Sequence, residues 1–275
     1  MLIQQSMIER LRRLCQGDER MVSAMLYGSF TYSQADQFSD VECLFFFEDG
    51  ALQDIDPRAW VSQIAPVELY FGNEWGVGTA IFENLVRGEF HFDRISDLAA
   101  MAESWQGNVW FPSLEAAVLV DRNGDLTRCL QPLIGSPPAR DEPESVQHVV
   151  NCFINWMLFG SNVLARGELV RALELLGWAQ RYLLWMARLE EDMTEHWPIP
   201  SRALEEDISA PAYARYATCT SKLDRDDLCA AYLAAWTWGK EMMLSLVARY
   251  EIAVHGPLVA KLDSLFLERH QMSLV

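Results

Sequence analysis

Residues 26–42 read LYGSFTYSQADQFSDVE. An apolar segment, MVSAMLY (21–27), runs into Gly28-Ser29, and a polar loop of about ten residues follows. The chain then re-enters an apolar run, VECLFFF (41–47), led by Asp40 and Glu42. Side chains two apart on a strand share a face, so both carboxylates point the same way. Two like charges beside an aromatic run are costly unless a cation holds them. Gly28 lets a phosphate approach the backbone with no Cβ in the way. Ser29 adds a small hydroxyl donor, and successive backbone N–H groups there can form an anion-binding nest. Two carboxylates on one strand face suit Mg²⁺, which takes oxygen ligands and keeps positions open for substrate phosphates. Singly, Gly-Ser is a common turn and an acid-x-acid pair an ordinary occurrence. In this order, a phosphate cradle beside a divalent-cation clamp implies phosphoryl or nucleotidyl transfer.

Such a site requires a third acid from a neighbouring strand, and VRGEFHF (86–92) supplies one. Arg87, Glu89 and His91 share one strand face, while Gly88, Phe90 and Phe92 share the other. An acid-bearing face in a sheet otherwise built from Phe and Leu fits a catalytic cleft. A half-exposed edge strand with its polar side in water gives the same pattern. His91, beside Glu89, is equally a substrate contact or a structural histidine. His148, His196, His255 and His270 have no partners at metal-ligand spacing, which argues against a zinc enzyme. FGNEWGVG (71–78) is glycine-rich but lies between strands with no helix after it, so it reads as a hairpin loop and not a dinucleotide fingerprint.

Outward from this centre, residues 2–15 repeat apolar positions at helical spacing, and PRAWVSQI (57–64) is helical. PVELYF (66–71), GTAIFENL (78–85) and LEAAVLVD (114–121) read as further strands. LIGSPPARDEPE (133–144) is a Pro-rich, charged junction, with Asp141 and Glu144 as a capping box for the next helix. Residues 146–167, 169–192 and 226–254 then carry helical periodicity. The expected architecture is an α/β (α+β) domain with a mixed sheet over residues 1–135. An all-α helical bundle follows over 141–275.

Three stretches extend the pattern: YGSFT…DQFSDVE, IFENLVRGEFHF and NVLARGE…RALELL. Together they resemble the longer-chain lincosamide nucleotidyltransferases, within the superfamily related to DNA polymerase β, whose signature is Gly-Ser, a loop, Asp-x-[Asp/Glu] and a later strand acid. The resemblance spans both halves of the chain. It implies transfer of AMP from ATP to a hydroxyl of lincomycin or clindamycin, with two Mg²⁺ ions as cofactors and a homodimeric assembly. It also implies that Gly28 and Ser29 hold the triphosphate and that Asp40 and Glu42 bind metal. Glu89 would complete the metal site and act as base. Arg166 and Arg171, in the third stretch, are candidate donors to triphosphate oxygens or else solvated surface. Glu42 departs from the aspartate common in the superfamily and suits the lincosamide branch.

The net charge is -17, from 39 acidic against 22 basic residues. Such a surface repels nucleic acid and anionic membranes, so neither is an expected partner. It does not separate lincosamides from cationic aminoglycosides as acceptors. An aminoglycoside adenylyltransferase, and a non-catalytic interaction protein on the same fold, are the rival readings. Six scattered cysteines read as free thiols, and no apolar run approaches ~20 residues. The amphipathic, charged start is unlike a signal peptide. A cytoplasmic location is expected.

Overall fold

The computed structural model describes residues 2–273. The chain divides into two compact units, Met1–Pro138 and Ala139–Val275.

The first unit is built on a six-stranded mixed sheet. Its strands are β1 (Met21–Leu26), β2 (Val41–Phe47), β3 (Val67–Gly72), β4 (Gly78–Phe82), β5 (Arg87–Arg94) and β6 (Val118–Asp121), in the order β3-β4-β5-β2-β1-β6. β2 and β5 run parallel and every other pair is antiparallel. Alternation along β2 decides what each face meets. Val41, Cys43, Phe45 and Phe47 point to one side, where they pack with Met7, Leu11 and Cys15 of α1 (Ile3–Gly17) and with Trp60 and Val61 of α2 (Pro57–Val61). Phe45 lies 4.5 Å from the Trp60 ring and 6.0 Å from Phe90, stacked on the latter. Leu44 and Phe46 point to the other side, onto Leu98 of α3 (Leu98–Trp105) and Leu126 and Leu130 of α5 (Asp125–Leu130). Burying a phenylalanine contributes about 1.5–3 kcal/mol, so this aromatic seam dominates the unit's core.

One expected strand is half helix. In LEAAVLVD, Leu114–Ala117 forms a single helical turn, α4, and only Val118–Asp121 is strand. The Ser113 hydroxyl caps the turn by accepting from the Ala116 N–H at 3.2 Å, a local bond that outweighs the apolar run. The capping box expected at Asp141 and Glu144 is also absent. Pro143 occupies the first turn of α6 (Pro143–Ala165), and the residue before it, Glu142, makes no side-chain cap bond.

The second unit is helical as expected. α6, α7 (Leu169–Glu190), α8 (Leu204–Asp207), α9 (Ala210–Thr218), α10 (Arg225–Tyr250) and α11 (Gly256–Ser273) enclose a core of Phe153, Met157, Leu176, Leu183, Tyr232 and Trp236. Trp236 stacks between Phe153 and Phe266 at 6.1 and 5.2 Å. Gly239 makes room for this: a Cβ there would lie 2.2 Å from Phe153 Cζ.

Arg188 is fully buried on α7. Its guanidinium donates to the carbonyls of Pro200, Met193 and Arg202 and to Asp207 Oδ2 at 2.6–2.9 Å. Asp207 also bonds His196 Nδ1 at 2.7 Å. Burial raises the Asp207 pKa, but the bonds to His196 and Arg188 outweigh it and the net shift is downward. Arg188→Met would leave three carbonyls without this donor and the partly buried Asp207 carboxylate with His196 alone. Removing one partner of a buried pair costs ~3–5 kcal/mol, so urea unfolding of the helical unit should move to lower denaturant by that equivalent. An unchanged midpoint would contradict this anchoring role.

Candidate active site

The antiparallel pairing of β1 with β2 brings the end of one strand beside the start of the other. Leu26 pairs with Cys43, and the Tyr27 N–H donates to the Glu42 carbonyl at 3.2 Å. Gly28-Ser29 is therefore held against Glu42. Gly28 adopts φ +72°, and a Cβ built on it would lie 1.6 Å from Glu42 Oε2. Its glycine is required by backbone conformation and by a carboxylate approaching closely, in addition to any phosphate. Thr31 closes the turn, with its N–H and its hydroxyl both donating to the Gly28 carbonyl, at 3.0 and 2.7 Å. Gly28→Ala should cost ~1–2 kcal/mol from the left-handed backbone alone and push the Glu42 carboxylate aside. Chemical denaturation reads the first effect, and an unaltered stability would contradict it.

The polar loop is pinned from beneath. Gln4 of α1 is buried, and its Nε2 donates to the carbonyls of Gln37 and Ser39 at 3.0 Å each. Asp36 accepts from the Phe38 N–H, and Ser39 Oγ accepts from the Asp36 N–H, both at 2.9 Å. This knot delivers the chain to Asp40 in a fixed register.

Parallel pairing of β2 with β5 places Glu42 directly opposite Glu89. Asp40 precedes Glu42 by two residues on the same side, so Asp40, Glu42 and Glu89 rise from one face. They stand where the helical cover of that face, which reaches Leu44 and Phe46, has ended. Glu89 Oε1 accepts from Asn73 Nδ2 and Oε2 accepts from the Tyr27 hydroxyl, both long contacts of 3.4 Å. The Tyr27 hydroxyl also lies 3.2 Å from His91 Nε2. Burial, then the negative charges of Glu42 and Glu89, push the Tyr27 phenol up, so it stays protonated. Burial also pushes the His91 imidazole down, against the opposing pull of Asp93 and Glu89, which keeps it neutral at pH 7.

The cation that the carboxylates need is Arg87. Its guanidinium pairs with Asp40 Oδ2 and with Glu89 Oε1. Burial lowers the Arg87 pKa, but its bonds to Asp40 and Glu89 win and the net shift is upward. The sequence placed Arg87 on the face of Glu89 but gave it no task; its signal was the two-residue spacing on a strand. Among the described residues, no three of His, Cys, Asp and Glu converge as a ready metal-ligand set. Asp40 and Glu89 instead turn onto Arg87. The donor chemistry nonetheless fits a divalent cation, because a positive group already stands between carboxylates from two neighbouring strands.

The same face continues outward across β4 and β3. Glu89 pairs with Thr79, which pairs with Phe71; Arg87 pairs with Ile81, which pairs with Leu69. Leu69 and Phe71 are 48% and 44% exposed on the edge strand. With strands ~4.8 Å apart, Phe71 lies about 10 Å from Glu89. The expected hairpin loop follows, where Asn73 Oδ1 accepts from the N–H groups of Trp75 and Val77 at 3.1 and 2.9 Å.

Arg171 belongs to the second unit. It is half-exposed on α7, paired with Glu168 at 3.4 Å and lying 5.5 Å over the Phe159 ring. Arg166, at the end of α6, is exposed. Of the tryptophans, Trp236 and Trp238 are core, whereas Trp178 is 47% exposed and stacked on Trp156 at 5.6 Å. Trp178 lines a cleft of about 330 Å³ with Glu174, Arg181 and Tyr216. Among the described residues, no helix is long and apolar enough to cross a membrane.

Comparison with known proteins bears mainly on the helical unit. Residues 142–265 match the family described as "Lincosamide nucleotidyltransferase-like, C-terminal domain". No curated protein matches the chain in sequence. Among solved structures, it is similar to an aminoglycoside 6-adenyltransferase from Bacillus subtilis, at 12% identity and a TM-score of 0.44, over 98% of this chain and 99% of that one. It is also similar to a nucleotidyltransferase-like protein from Exiguobacterium sibiricum 255-15, at 16% identity and a TM-score of 0.40, over 90% of this chain and 78% of that one. Likenesses this distant do not bear on substrate. The one sequence match among these thus lies within the second unit, over residues 142–265.

Proposed function

We propose that the protein transfers AMP from ATP to a hydroxyl of a lincosamide. The observation that carries this is the placement of Asp40, Glu42 and Glu89 on one face of two parallel strands, with the Gly28-Ser29 turn pressed against Glu42. Three carboxylates and a tight glycine turn suit a nucleoside triphosphate with divalent metal. Asp40, Glu42 and Glu89 are the residues that would hold Mg²⁺, which when bound supplies neutralisation of the triphosphate charge. The Gly28-Ser29 turn offers backbone N–H groups and a hydroxyl to phosphate oxygens. Glu89 is within reach of two strands' chemistry and takes the proton of the acceptor hydroxyl. The acceptor oxygen bonds to the α-phosphorus, the bond from that phosphorus to the bridging oxygen breaks, and pyrophosphate leaves.

The acceptor class follows from the flank of the site. Leu69, Phe71 and Ile81 extend the carboxylate face as an apolar strip. A polycationic aminoglycoside gains nothing from such a strip, whereas the alkyl-proline of a lincosamide buries on it. The family matched over the helical unit agrees with that choice. Incubation with ATP, Mg²⁺ and lincomycin should yield a drug heavier by one adenylyl group, located by mass spectrometry with fragmentation. Unmodified lincomycin alongside adenylylated kanamycin would replace the acceptor and keep the chemistry.

A further inference from the structure

Arg87 precedes Glu89 by two residues on β5, so its side chain rises from the same face as the carboxylates. One terminal nitrogen serves Asp40 Oδ2 and the other Glu89 Oε1, bridging residues from two strands. A guanidinium suits this because its donors form a rigid planar fork. A divalent ion held between Asp40 and Glu89 would stand within a few ångströms of that guanidinium, where two cations repel strongly. Guanidinium and metal therefore compete for the same carboxylates.

We propose that Arg87 is a displaceable counter-cation: it neutralises Asp40 and Glu89 before metal binds, leaves them to the metal, and then pairs with the phosphates of the nucleotide. This rests on Asp40 and Glu89 forming the metal site proposed above. The Arg87 side chain is 42% exposed, so its head can leave the pair without unpacking the core. Bare metal must break two ion pairs and leaves the guanidinium unpaired. A metal–nucleotide complex brings a cation for the carboxylates and an anion for the guanidinium, so the exchange is balanced in charge. Metal and nucleotide then bind with positive coupling, and linkage makes that coupling reciprocal.

The test is titration of Mn²⁺ alone, with the free ion followed by its paramagnetic resonance signal, into the wild type, Arg87→Met and Asp40→Asn. Two half-exposed ion pairs set the scale, so Arg87→Met should bind Mn²⁺ about five- to thirtyfold more tightly. Binding of a non-hydrolysable ATP analogue with Mg²⁺, by calorimetry, should weaken about tenfold in the same variant. A merely structural arginine would move both affinities in one direction. If Asp40→Asn loses Mn²⁺ while Arg87→Met binds it no more tightly than the wild type, the counter-cation proposal falls and the metal site stands. If neither the wild type nor Arg87→Met binds Mn²⁺, or Asp40→Asn binds it as well as the wild type, the metal site itself falls and the proposal with it. Should Arg87→Met not melt cooperatively, Arg87→Lys serves instead. Its point charge cannot fork across both carboxylates, so Mn²⁺ should bind several-fold more tightly, and an unchanged affinity overturns the proposal.

Discussion

Glu89→Gln is expected to lower turnover by ~10²–10⁴-fold, the usual worth of a general base. Glutamine keeps the shape and one oxygen, so the contacts from Asn73 or Tyr27 survive, but it is a far poorer proton acceptor. The amide also ends the ion pair with Arg87, leaving that guanidinium on Asp40 alone. Binding of ATP and drug should change by less than about tenfold by calorimetry, because Asp40 and Glu42 remain to hold the metal. Loss confined to the chemical step in single-turnover kinetics separates a base from a binding residue. Normal turnover in Glu89→Gln, with Glu83 or Asp93 variants inactive, would show that a different acid acts.

Asp40→Asn is expected to abolish turnover at the same protein stability. From the sequence, the acid pair is repulsive without metal, so removing one charge should leave the fold at least as stable. The structure alters that expectation, because Arg87 already relieves the repulsion. Losing one half-exposed ion pair and losing one like charge oppose each other, so the thermal midpoint should correspond to a change within about 1 kcal/mol. Turnover fails because a neutral amide is a weak ligand for a hard divalent cation. Retention of near-normal rates would remove Asp40 from the mechanism.

The strands around the site were legible because their patterns are local. From Cys43 onward β2 is buried on both faces and reads as an apolar run, while β5 shows its polar and aromatic faces by alternation. Their parallel pairing was not legible: it joins segments some 45 residues apart, and nothing in either specifies direction. Gly28 was recognised as a position where a Cβ would obstruct, but the obstructed group proved to be the Glu42 carboxylate, a neighbour only through the β1–β2 register. Arg87 was placed on the correct face without its partner Asp40, which leads into another strand. The turn at Leu114–Ala117 was hidden because a cap depends on one hydroxyl, Ser113, and not on periodicity. The apolar strip of Leu69 and Phe71 was unreadable for a related reason. A bulge between Val67 and Leu69 reverses which residues of β3 face the site.

Pyrophosphate release from ATP and Mg²⁺, measured with lincomycin, with kanamycin and with no acceptor, tests nucleotidyl transfer to a lincosamide most directly. Release that depends on lincomycin, is absent with kanamycin and is lost in Asp40→Asn is the predicted result. No release above the acceptor-free level with either drug, in protein that binds ATP and melts cooperatively, would contradict it and leave a binding protein on a nucleotidyltransferase fold.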